Sequence, residues 1–533
     1  MPKARLRTKT GCITCRRRKL KCDECRPQCR QCFLAHRQCE WPAVSELYDR
    51  RYHCHTSSRY KTVRDQDDPA SSDYDSEGST KASPLQASAL ILRNPKLETT
   101  ICSDSELSLF HYYLDTLLSF LLSPEAHPGF FAEYLPCVAR YTLTSPSVKC
   151  AVLACCASNK YQLTGDVQFR KLSLKYYCQA VQEVNSALAE LHSTGGCPDD
   201  ALLTAVIHMY VNALWGSDVV NDAPEHVRGA VQLMKLRYAK APLSMASPFN
   251  RVTVESVVYQ SFLLEMKHPF QVDFQVDNGL LIRSGNALES LTFLDASPLA
   301  NNPVLGVPLS LYRLISEVMQ LYQPSKMVDL QSLSRVKREM EYWEHVASQM
   351  DGERGSQSPA SAREASPSKS APDHSHADAM ILYTLAGSLL LDWIVELTEK
   401  DVPSQSEVDS SQRKRWLPPR ASAQMPPPPR RGWQLVRALS ILRRPETYET
   451  WTRSHLGWWP VSIFGLAADQ EEDISLIKDV LLCTRRRLGY GLVDRVLADL
   501  EQVWEERSRS QHITKVEEMW VEDLEGRSTS PLW

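Results

Sequence analysis

The chain has 533 residues, enough for about three domains of ordinary size, and its 43% hydrophobic content is that of folded protein. No uninterrupted run of 18 or more apolar residues occurs, so no membrane partner is expected, and the opening Lys3, Arg5, Arg7 and Lys9 are not followed by the apolar core of a secretory signal. The net charge of -3 hides an asymmetry: residues 1–42 hold 12 Lys and Arg against Asp23, Glu24 and Glu40, a balance of +9, which leaves -12 for the rest.

The cysteines share this skew, with 8 of 16 in the first 54 residues. Cys12, Cys15, Cys22, Cys29, Cys32 and Cys39 form C-x2-C-x6-C-x6-C-x2-C-x6-C, two triplets of equal spacing. A C-x2-C pair at a helix start aims two thiolates at one metal, and the third cysteine returns after nearly two turns. Two tetrahedral zincs need eight coordination places, so six cysteines suffice only where two sulfurs bridge both metals. The spacing therefore predicts a binuclear cluster with two Zn2+ per chain. Six thiolates and two Zn2+ sum to -2, so the module keeps a charge of about +7 and phosphate is its natural partner. Arg16, Arg17, Arg18, Lys19 and Lys21 then lie on or beside a metal-anchored helix, and such side chains pair with O6 and N7 of guanine in a major groove. The bland alternative is a solvated charged face or a nuclear-import signal.

These residues resemble the fungal Zn2Cys6 binuclear-cluster transcription factors. The likeness takes in Gly11, the basic run from Arg16 to Lys19 ahead of Lys21-Cys22, the Asp23-Glu24 pair and Pro27 between the halves. The resemblance implies that Cys12 and Cys29 bridge, with Cys12, Cys15, Cys22 and Cys29 on one zinc and Cys12, Cys29, Cys32 and Cys39 on the other. It also implies that Lys19 reads bases with Arg18 beside it, at sites built from CGG triplets. Two cysteines depart from the pattern. Cys25 creates C-x3-C-x2-C with Cys29 and Cys32, the spacing of radical iron–sulfur enzymes, but those need a β/α barrel and helices follow here. Cys25 and Cys54 are read as free thiols, and His36 as a surface or phosphate-facing residue rather than a ligand.

Residues 64–88 are acidic and Ser-rich with almost no aliphatic residue, too little to offset ordering entropy. A linker is expected over 43–100. Ser103 and Glu106 have capping-box spacing, and Leu107, Phe110, Leu114, Leu117, Leu118 and Leu121 recur at helical period until Pro124. Helical patterns continue over 148–160, 167–192, 199–214, 225–237, 308–322, 330–346, 379–397 and 476–507, the last broken at Gly489 and Gly491. Residues 252–258 are β-branched enough to admit a strand. Ser/Pro/Ala-rich 352–376 and Pro-rich 403–432 read as mobile insertions.

The expected fold class is all-α: a small Zn2Cys6 module at 1–42, a disordered linker, and a large helical regulatory domain. That domain is read as 101–350, an insertion at 351–377, a helix at 378–400, a Pro-rich insertion at 401–432, a last part at 433–510 and a tail at 511–533. Residues 107–237 and 458–507 resemble the fungal-specific transcription factor regulatory domain of the second type. The cues are the first helix, the element from His226 to Ala230 with Leu233, and Trp459-Pro460. Gly229 and Ala230 are expected to permit close helix contact, and Trp393, Trp458 and Trp504 to be core.

No zincin, nucleophile-elbow, P-loop or Rossmann fingerprint occurs, so no enzyme is expected. The reading is a nuclear, zinc-dependent, sequence-specific regulator of RNA polymerase II transcription. Its expected partners are double-stranded DNA and the transcription machinery or co-regulators, with any homodimer contact made through the helical body. The rival readings are an iron–sulfur enzyme and a zinc scaffold for RNA or protein.

Overall fold

The computed structural model describes residues 12–18, 20, 22, 29, 31, 32, 35 and 37–40 near the N-terminus. It further describes 103–216, 219, 222–240, 243–265, 277–321, 330–356, 375–400 and 429–527. The chain divides into two compact units, residues 1–79 and 80–533. The expected linker, residues 357–374 of the first insertion and 401–428 of the second lie outside the described residues. Among the described residues of the first unit, α1 (Ile13–Arg17) is a short helix, and Gln31 and Cys32 are also helical.

The second unit is all-α, and no strand occurs among the described residues. It opens with α2 (Asp104–Tyr112), a π turn (Tyr113–Leu117) and α3 (Leu118–Leu121). Ser103 caps α2 by accepting the N–H of Glu106 at 3.3 Å, and the Glu106 carboxylate accepts the hydroxyl of Tyr176. Next come α4 (Pro128–Thr144), α5 (Pro146–Thr164), α6 (Val167–Thr194) and α7 (Asp200–Trp215). Helix α5 is buried almost all round, and its Ala151, Ala154, Cys155, Cys156, Ala157 and Ser158 are small enough to let α6 and α7 lie close on both sides. Gly165, at φ 72°, ends it in the left-handed conformation that glycine adopts without strain. Helix α7 starts on an Asp199 cap and is buried at every position from 202 to 215.

Helices α8 (Ala223–Lys240), α9 (Pro248–Glu265), α10 (Asn278–Leu288) and α11 (Leu309–Gln320) follow. The strand that 252–258 could admit does not form; the segment lies inside α9, in keeping with the all-α reading. Its valines are buried on all sides, and tertiary packing outweighs their modest intrinsic preference for strands. An i,i+4 ion pair fixes the helix: Arg251 Nε lies 2.9 Å from Glu255 Oε1, and both side chains are essentially unexposed. Glu255 also accepts the N–H groups of Val304 and Leu305, while Arg251 donates to the carbonyls of Leu288 and Ser290 and to Asn302. One buried pair thus staples α9 to the 288–305 segment.

The remainder comprises α12 (Leu330–Ser356), α13 (Ser375–Lys400), α14 (Trp433–Leu442), α15 (Pro445–Trp451), α16 (Trp458–Ala467), α17 (Glu471–Leu488) and α18 (Leu492–Arg527). Within α13, residues Ala377–Glu396 are long and apolar enough to cross a bilayer, a stretch the sequence reading passed over, but they are 89% buried inside the bundle and serve as a core helix. Asp473 is buried and receives Arg431 at 2.9 Å and Arg443 at 3.5 Å, tying the start of α17 to α14 and the residues flanking it. Trp393, Trp458 and Trp504 are core, as expected. The close approach expected at Gly229 is not there, since a Cβ on it would meet only Val206 at an ordinary 3.9 Å. Backbone proximity occurs instead at Gly491, where a Cβ would come within 2.4 Å of the Trp215 carbonyl oxygen.

Candidate metal centre and nucleic-acid interface

Cys12 stands immediately before α1 and Cys15 lies in its first turn, so the C-x2-C step curls one backbone N–H onto the preceding sulfur. Cys15 N–H points at Cys12 Sγ at 3.3 Å, and seventeen residues later Cys32 N–H points at Cys29 Sγ at 3.4 Å. The same shift relates Cys12 N to Cys22 Sγ (3.5 Å) and Cys29 N to Cys39 Sγ (3.4 Å). It also relates the bonds from Leu20 N to Cys15 O and from Arg37 N to Cys32 O, both 3.0 Å. The equal spacing read in the sequence is therefore a repeat in the backbone, and each half donates N–H groups to sulfur, which favours the thiolate form.

The sulfurs of Cys12, Cys15, Cys29 and Cys32 are buried and lie within 4.8 Å of one another. Cys12 to Cys29 is 3.7 Å, Cys12 to Cys32 3.7 Å, Cys15 to Cys29 3.5 Å and Cys15 to Cys32 3.9 Å. Zn–S bonds of about 2.3 Å in a tetrahedron give S···S edges of about 3.8 Å, so the donor set fits zinc. Cys22 and Cys39 are not in this inner group; both are half-buried and pack against it. Cys12 and Cys29, the expected bridges, occupy corresponding places in the two halves.

The titration of these thiols follows from crowding. Burial, with hydrogen bonds among the sulfurs, pushes Cys15 up to about 12 and raises Cys12 and Cys32 as well. Burial acts on Cys29 too, but the Cys32 N–H and the neighbouring sulfurs outweigh it and bring this thiol down to about 6. Four sulfurs this close cannot all ionise unless a cation lies among them, which is what a divalent metal supplies.

A clamp that the sequence reading missed holds α1. Thr14 Oγ1 donates to Gln38 O at 2.9 Å and accepts Glu40 N–H at 3.2 Å, while Ile13 N–H donates to Glu40 O at 2.7 Å. A lone Thr and Glu 26 residues apart give no pattern from which to read this. Arg17 stands out from α1 with its side chain 74% exposed, 3.5 Å from Glu40. Arg18 is half-buried, and its Nη1 has no hydrogen-bond partner among the described residues. Arg16 is part of α1, but its side chain, like Lys19, Lys21, Cys25, His36 and Cys54, lies outside the described residues.

Two families match the chain. The family described as fungal specific transcription factor domain matches residues 108–529, and the fungal Zn(2)-Cys(6) binuclear cluster domain matches residues 10–45. Six cysteines of the cluster domain bind two Zn2+. Over 39 residues the chain is 54% identical to Transcription factor lfc1 of Flammulina velutipes, covering 7% of this chain and 14% of that protein. Over 34 residues it is 65% identical to Transcription activator AMTR1 of Alternaria alternata, covering 6% of this chain and 4% of that protein. Over 34 residues it is 62% identical to Transcriptional regulatory protein moc3 of Schizosaccharomyces pombe, covering 6% of this chain and 7% of that protein. The matched stretch is thus a small part of each relative's own length. No solved structure matches.

Proposed function

The chain belongs to the family of fungal specific transcription factor domain proteins, and from that premise we propose that it is a zinc-dependent, sequence-specific DNA-binding regulator of RNA polymerase II transcription acting in the nucleus. The observation that carries the reading is the sulfur group itself. Buried thiols at zinc-edge spacing hold the start of a helix whose exposed side and continuation are basic. Cys12, Cys15, Cys22, Cys29, Cys32 and Cys39 are the proposed ligands, with Cys12 and Cys29 bridging. Lys19 and Arg18 are the proposed base readers, and Arg16, Arg17 and Lys21 meet the groove or its phosphates. Guanine-rich CGG triplets suit side chains that donate to O6 and N7.

The iron–sulfur reading loses its ground, because both matched families are transcription-factor domains, which are not enzymes, and Cys29 and Cys32 share a sulfur group with Cys12 and Cys15. The test is a titration of the zinc-loaded full chain against a CGG-containing duplex, a scrambled duplex and single-stranded RNA, each with and without chelator. Chelator-sensitive preference for the CGG duplex is expected. Equal affinity for all three favours a zinc scaffold.

A further inference from the structure

A cavity of about 60 Å³ lies inside the helical body, between α3, α4, α7 and α9, with Val304, His455 and Tyr490 completing the wall. Among the described residues, no Asp, Glu, Lys or Arg lines it. Its lining is buried except at Phe120, Leu121 and His455, which retain partial exposure and mark the open end. Phe120 and Leu121 belong to α3, directly after the π turn of residues Tyr113–Leu117, an irregularity often found in helices at functional sites.

One polar atom at this wall, Gln260 Oε1, on a side chain only 4% exposed, finds no hydrogen-bond partner among the described residues. Buried polar atoms are ordinarily paired, and each exception asks for a partner. The two histidines at the wall are kept neutral. Burial brings both His208 and His455 down to about 4, against weaker opposing hydrogen bonds to backbone carbonyls. An ionised ligand would therefore meet no counter-charge, and desolvating it would cost more than the apolar walls return.

We infer that this cavity is a binding site for a small uncharged amphiphile, with an apolar body against Val211, Leu214, Val252 and Leu263 and one hydrogen-bonding group directed to Gln260. The volume is less than half of the ~150 Å³ that admits benzene in an engineered apolar cavity. A slender chain therefore suits it better than a ring, with any excess length leaving by the Phe120 and Leu121 end. The site rests on the cavity and the unpaired Gln260 Oε1, so it stands whether or not the chain binds DNA.

The probe is 1-hexanol, with hexanoate as the charged control of equal chain length, and the readout is thermal unfolding of the full chain at pH 7, backed by calorimetric titration. 1-Hexanol raises the Tm in a concentration-dependent, saturable way, as a ligand of the native state must, and hexanoate does not. Gln260→Leu keeps the apolar space and removes the polar handle, so it weakens 1-hexanol binding about five- to tenfold. Ser256→Leu fills the space from α9 and abolishes the shift while the helical circular dichroism is kept. The inference is overturned by no saturable shift with 1-hexanol, by hexanoate binding equally well, or by unchanged affinity in Gln260→Leu. The last outcome remains readable even where Ser256→Leu does not fold.

Discussion

What holds a basic side chain decides what it can read. Lys19 follows, in the sequence, a helix fixed by Cys15 and by the Thr14 and Glu40 clamp, whereas Arg5 and Arg7 come before the first proposed ligand in the sequence. Lys19→Ala should therefore cost about 1 to 3 kcal/mol on the preferred duplex and little on unrelated DNA. Removing Arg5 and Arg7 should weaken both alike and lower the salt slope by about one unit per lost phosphate contact. Titrations of both variants on CGG and scrambled duplexes at several salt concentrations check this; an intact specificity ratio in Lys19→Ala makes Lys19 a phosphate contact. Ligand roles separate by metal analysis. Cys25→Ser should retain two zincs, while Cys12→Ser and Cys29→Ser should lose both, because a bridging sulfur serves two metals. At this scale the sequence was most legible where chemistry imposes spacing. Six cysteines announce themselves because zinc accepts only a narrow geometry, while Thr14 and Glu40 act through backbone contacts that any of several residue types could make.

At the scale of elements, most long helices were legible, including α5 and α7, which are buried almost all round. Helix α4 went unread because Pro136 sits inside it and Pro128 and Pro146 punctuate its ends, and α10, α14 and α15 are short. In α9 the local β-branched pattern pointed the wrong way, because burial on all sides removes the alternation that separates helix from strand. The break at Gly489 and Gly491 was legible and is real: Gly489 closes α17 at φ 62°, and α18 begins at Leu492. The Arg251 and Glu255 staple carries a prediction of its own. Arg251→Met leaves a buried carboxylate without its cation, so stability measured by urea unfolding should fall by about 3 to 5 kcal/mol. Conversion of both residues to apolar ones should cost less than the single change on the carboxylate's account, leaving the Val304 and Leu305 N–H groups as the residual penalty. Equal stability of Arg251→Met and the parent would remove the staple from the account.

The whole molecule joins a module whose fold depends on metal to a body whose fold depends on burial. Chelation should strip two zincs and abolish duplex binding while the helical circular dichroism of the body persists. Acid should act on the body through His208, which burial brings down to about 4 from its ordinary 6.5. The unfolded chain protonates first, so the stability this residue contributes is complete above pH 6.5 and is lost as pH falls toward 4, by about 2 kcal/mol between pH 7 and 5. Glu255 opposes it. Burial, offset by Arg251, pushes its carboxyl up to about 7, so its contribution grows as pH falls through 7 toward its unfolded value. His208→Gln isolates the first effect: the difference in unfolding free energy between parent and variant, from urea titrations, should change by that amount between pH 7 and 5, and parallel profiles would show that His208 does not titrate with unfolding.

The central claim is that two zincs held by six cysteines aim a basic helix at specific base pairs. Selection from a pool of random duplexes by the zinc-loaded full chain, run beside a chelated sample, tests it most directly. Enrichment of sites containing CGG triplets in the zinc-loaded sample alone is the result the account predicts; recovery of an unenriched pool by both samples would contradict it.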